Sequence, residues 1–143
     1  MTWSAHDSNE ALAFARHQHH INTRAWEGRC LAFVRTAYGI PAKYPTAISA
    51  WEHCPASHKH AGGRPYQAPV GALLCFSGGD KGYGHIMIAA RPFPNGKRAA
   101  WSNDLVVPGG IDKVRRNAPE KYWGQHYLGY ITQVNGVNLR LVS

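Results

Sequence analysis

The order of its periodic segments predicts an α+β fold for this chain. Helical spacing of apolar residues is confined to the first third, and after Pro69 the pattern becomes short apolar runs separated by Gly- and Pro-rich turns. Helices first and an antiparallel meander afterwards is the signature of segregated helices and sheet.

Residues 8–20 read as the first helix, capped by Asp7 or Ser8, with Leu12, Phe14 and Ala15 apolar. Residues 30–38 form a second. Leu31, Phe33, Val34 and Ala37 cover most of its circumference, which places it in the core, and Gly39 and Pro41 stop it. A third spans residues 46–54, with Pro45 before it and Ala47, Ala50 and Trp51 on one face. Residues 55–69 hold three prolines, two glycines and two histidines and read as a loop.

Residues 71–77 then read as a buried strand, 78–84 as a turn with four glycines, and 85–90 as a second strand. A turn at 92–96 leads to a third strand at 98–103, and residues 108–110 turn again. Residues 118–123 read as a helical turn and 127–134 as a late strand. Asn135-Gly136 signals a hairpin before 137–142.

The 143 residues suffice for one domain, 1–143, and 44% hydrophobic content is ordinary for a globular protein. No apolar run is long enough to cross a membrane. The first ten residues lack a basic stretch followed by an apolar core, so synthesis in the cytoplasm is expected. Three cysteines, an odd number, argue for at least one free thiol rather than a disulfide framework. The formal charge of +8 favours polyanionic partners. Its basic residues are scattered apart from Lys97 with Arg98 and the cluster at 113–116, which argues against dedicated nucleic-acid binding.

Cys30 stands just after Gly28 at the start of the second helix, where unpaired N–H groups favour a thiolate. His85 opens a strand after the glycine-rich turn. The next strand ends in Trp-Ser-Asn-Asp, which brings Ser102, Asn103 and Asp104 towards the imidazole. A thiol nucleophile needs a base, and the base needs an orienting group. The chain supplies them in that order. Cys75 reads as core and Cys54 as structural. His17, His19 and His20, and His53 with Cys54, His58 and His60, lack the spacing of known zinc sites and read as solvated. The 78–84 turn lacks the Gly-Lys-Ser/Thr ending of a phosphate loop.

Five segments carry a resemblance: Gly-Arg-Cys-Leu-Ala-Phe-Val-Arg, Ala-Pro-Val-Gly-Ala-Leu-Leu-Cys-Phe, Gly-Tyr-Gly-His-Ile-Met-Ile, Trp-Ser-Asn-Asp and Tyr-Trp-Gly-Gln-His-Tyr-Leu-Gly-Tyr. In that order, over about residues 8–136, the chain is similar to the papain-like amidase and peptidase group that includes CHAP and NlpC/P60 domains. The resemblance implies N-terminal helices carrying the cysteine, packed on an antiparallel sheet carrying the histidine. It implies a peptidoglycan hydrolase, a cysteine endopeptidase or N-acetylmuramoyl-L-alanine amidase, of the phage endolysin type.

By the same resemblance Cys30 is the nucleophile and His85 the base. The third residue falls within 102–104. Asp104 is favoured because a carboxylate both orients the ring and stabilises the imidazolium, with Asn103 as the alternative. The two side chains point to opposite faces of a strand, so only one can serve. Trp26, Tyr83 and Trp101 are expected to line a substrate groove. The mechanism is acyl transfer through a thioester, with the Cys30 N–H donating to the oxyanion and no metal or cofactor required.

Peptidoglycan is the expected substrate and anionic wall polymers a further partner, for a monomer that reaches the wall after release from the host cell. Two other readings compete: an antibacterial effector toxin with the same chemistry, and a non-catalytic basic module that binds the wall.

Overall fold

The computed structural model describes residues 6–142. Met1 to Ala5, half of the segment read for a leader, lie outside the described residues. Four α-helices are present: α1 Ser8–His20, α2 Cys30–Ala37, α3 Ala47–Glu52 and α4 Ala118–Trp123. The strands are β1 Lys59–Ala61, β2 Leu73–Ser77, β3 His85–Ala90, β4 Ala99–Asn103, β5 Ile111–Arg115, β6 His126–Ile131, β7 Gln133–Val134 and β8 Val137–Asn138. No described helix is long and apolar enough to cross a membrane.

Asp7 caps α1 in a reciprocal box. Its carboxylate accepts from the Glu10 N–H, and Glu10 Oε1 accepts from the Asp7 N–H, each at 2.9 Å. Thr46 and Ser49 form the same device at α3.

Six strands form one antiparallel sheet in the order β1-β6-β2-β3-β4-β5, so the class is α+β. Alternation along the strands divides the core in two. Leu73, Cys75, Ile86, Ile88, Ala99 and Trp101 face α1, α2 and α3. Leu74, Phe76, Met87, Ala89 and Ala100 face the opposite way, beneath Ala68, Ala72, Tyr127 and Ala118 of α4. Both faces of β2 and β3 are therefore covered, which is why these strands read as continuous apolar runs.

The sheet differs from the expected meander at its margins. β1 lies within the segment read as a loop, and β5 lies where no strand was expected; both are edge strands. Edge positions carry polar residues, here Lys-His-Ala and Ile-Asp-Lys-Val-Arg, so their apolar alternation is weak. The late strand breaks at Thr132 into β6 and β7, and only Val137–Asn138 of the last run is strand. Asn135 and Gly136 both have positive φ (53° and 79°), as a tight hairpin between twisted strands requires.

Candidate active site

The loop leading into α2 is held by the turn that follows β4. Asn103 Nδ2 donates to the Trp26 carbonyl at 2.7 Å. The Asp104 carboxylate accepts from the Gly28 N–H at 2.8 Å and from the Gly109 N–H at 2.7 Å. Gly28 needs its left-handed backbone (φ 67°) to bring that N–H round. This clamp fixes the start of α2 and with it Cys30.

The Cys30 thiol lies against the backbone N–H groups of Ile86, Leu31 and Cys30 itself. Cys30 and Leu31 are first-turn residues, so their N–H groups have no intrahelical acceptor. Burial pushes the thiol up to about 11. The three N–H groups pull it down and the Asp104 carboxylate pushes it further up. The expected thiolate stabilisation is thus corrected: desolvation outweighs the helix start, and the resting group is a thiol.

His85 follows Gly84, where a side chain would collide with the Phe76 carbonyl. The imidazole is buried, and its Nε2 lies 2.8 Å from Ser102 Oγ. Ser102 Oγ donates its own proton to the Asn103 carbonyl at 2.8 Å. With that proton on the carbonyl, the hydroxyl is set to accept from Nε2–H, the tautomer in which Nδ1 is free to take a proton. Trp123 of α4 sets its ring edge-on to the imidazole, with centroids 4.9 Å apart. Burial lowers the His85 pKa to about 3, so the ring is neutral at pH 7.

Cys30 and His85 open onto one cleft of about 860 Å³, whose walls include Asp104, Tyr83, Trp123 and Gln125. Its lining is mixed in charge, with Arg29, Arg35 and Lys81 against Asp80 and Asp104.

The structure places the residue at the imidazole differently from expectation. Ser102 lies on the face of β4 shared by Ala100, and His85 on the face of β3 shared by Met87, so the two meet on one side of the sheet. Asn103 points to the helical side, to Trp26. Asp104 has φ 66°, which turns the chain out of β4 and aims its carboxylate at Gly28 and Gly109. Neither Asn103 nor Asp104 bonds the imidazole; both hold the Cys30 loop and line the cleft.

Two of the three groove aromatics are also corrected. Trp26, 9% exposed, packs in the core against Phe14 and Phe33, with its indole N–H on Gln18. Trp101, 8% exposed, faces the helical layer and His19. Tyr83, 55% exposed, does line the cleft. Trp123, 41% exposed, is the tryptophan of the cleft wall, and no local spacing singled it out. Counting alternate positions from Ala100 along β4 would have pointed to Ser102.

Cys54 and Cys75 are buried and unbridged. Among the histidines, His58 bonds Thr132 Oγ1 at 2.8 Å, His53 stacks on Tyr44 and His60 on Tyr130. No family model, curated protein or solved structure matches this chain.

Proposed function

We propose that the protein is a cysteine hydrolase of amide bonds, a peptidase or amidase acting on peptidoglycan. The observation that carries the reading is the shared cleft: a thiol at a helix start on one face of β3 and a buried histidine bonded to Ser102 on the other open at the same end of the sheet. The resemblance of the five segments to papain-like CHAP and NlpC/P60 domains supplies the substrate class.

In this reading the Cys30 proton passes to His85 Nδ1 as the sulfur attacks the carbonyl carbon. A neutral thiol and a neutral imidazole suit such a concerted transfer, because neither reacting group carries a charge before substrate arrives. The first-turn N–H groups of α2 receive the developing oxyanion. His85 then returns the proton to the departing amine, and water activated by the same ring cleaves the thioester. Arg29, Arg35 and Lys81 in the cleft lining offer partners to peptide carboxylates, and Asp80 and Asp104 to peptide amines. Release to the wall after cytoplasmic synthesis, as for a phage lysin, belongs to the same proposal.

The test is turnover of purified peptidoglycan by wild type and Cys30→Ser, with released fragments identified by mass spectrometry. Fragments that depend on Cys30 are expected, and their new termini name the bond. A folded protein that binds several wall types but releases nothing would overturn the hydrolase in favour of a binding module.

A further inference from the structure

Two basic clusters stand 15 or so residues apart in the chain, and the sheet joins them. Ala99 pairs with Arg115 across β4 and β5, which brings Lys97 and Arg98 beside Arg115 and Arg116. The four, with Asn117 and Tyr66, line a recess of about 280 Å³. It lies at the opposite end of β4 from Ser102, roughly 10 Å away at the rise of an extended strand.

Three observations point to an anion there. Arg116 is 2% exposed, yet no carboxylate among the described residues pairs with it. Its guanidinium donates instead to the carbonyls of Ala99, Ala68, Ala90 and Pro65 at 2.8–3.2 Å, which solvate the charge without neutralising it. Arg98 lies close enough to disfavour the charge on Arg116, so like charges are concentrated rather than dispersed. Finally, the recess has no acidic residue in its lining, and Lys97, Arg98 and Arg115 are exposed there with no ion pair among the described residues.

We propose that this recess binds a phosphate group, and that the group belongs to a polyol-phosphate polymer. Converging cationic donors without a carboxylate suit a tetrahedral oxyanion. The volume fits one phosphate and a small adjoining unit. A single aromatic ring, Tyr66, borders it, whereas single-stranded nucleic acid is usually held by successive aromatic platforms along a basic track. The polymer assignment rests on the cell-wall reading; the phosphate site does not.

The experiment is a titration of full-length protein with inorganic phosphate at constant ionic strength, followed by amide and Arg Nε–H resonances. Saturable shifts are expected at residues 96–98 and 115–117, with affinity at least tenfold weaker in Arg98→Gln/Arg115→Gln. Both side chains are exposed, so the variant keeps its fold. Shifts that never saturate, or equal affinity in the variant, would overturn the site. Poly(glycerol phosphate) is expected to compete for the same resonances more tightly than a DNA oligonucleotide. The reverse order would overturn the polymer. Neither readout involves the cleft, so failure here and failure of hydrolysis are separate results.

Discussion

Replacing His85 with glutamine is expected to flatten the acid limb of the protein's stability. Histidine in an unfolded chain titrates near 6.5, whereas burial beneath Trp123 lowers His85 to about 3. Below pH 6.5 the unfolded chain takes up a proton that the folded site refuses. The contribution of neutral His85 is therefore complete above pH 6.5 and is lost as the pH falls towards 3. At about 1.4 kcal/mol per pH unit, the loss reaches about 2 kcal/mol at pH 5, a large part of a typical stability of 5–15 kcal/mol.

Glutamine does not titrate and keeps an N–H for Ser102 Oγ. The remaining histidines are common to both proteins, so their effects cancel in the comparison. Urea denaturation of wild type and His85→Gln at pH 7.5 and pH 5 measures the difference. The wild type should lose about 2 kcal/mol more than the variant between the two. Equal losses would refute the reasoning, because they would mean that the imidazole accepts a proton in the folded state without penalty.

Iodoacetamide should alkylate Cys30 slowly at pH 7, with the rate rising towards pH 11, since burial favours the thiol; a plateau by pH 7 would show a stabilised thiolate. Asp104→Asn should move that profile to lower pH, because the carboxylate opposes charge on the sulfur, and an unchanged profile would remove Asp104 from the site's electrostatics. Ser102→Ala should lower kcat roughly tenfold, the worth of one orienting hydrogen bond, and release the Nε2–H tautomer in ¹⁵N spectra; full activity with a mixed tautomer would mean orientation is not limiting. Arg116→Leu should cost on the order of 3 kcal/mol in urea denaturation by leaving several buried carbonyls without donors, and a loss under 1 kcal/mol would mean water replaces them.

Much of the fold was legible in the chain because it rests on local signals. The caps and stops of α1, α2 and α3 are short-range chemistry, and the apolar runs of β2 and β3 follow from burial on both faces. The two edge strands β1 and β5 were not legible, because half their hydrogen bonds and most of their side chains face away from the core. Within the site, the sequence by itself determined that a cysteine begins a helix and a histidine begins a strand.

Tertiary structure decided the rest, for reasons that lie between elements. A carboxylate looked better suited than an amide to hold His85, but the left-handed backbone at Asp104 turned it to the Cys30 loop and left Ser102 on the imidazole's face. A helix start favours a thiolate, but packing of α2 on β3 buried the sulfur and reversed the sign. Trp26 and Trp101 exchanged the groove for the core, and Trp123 took the cleft wall, because exposure of a large apolar ring depends on what packs over it. The joining of Lys97 and Arg98 with Arg115 and Arg116 is likewise a matter of strand register, which side-chain chemistry along one segment does not encode.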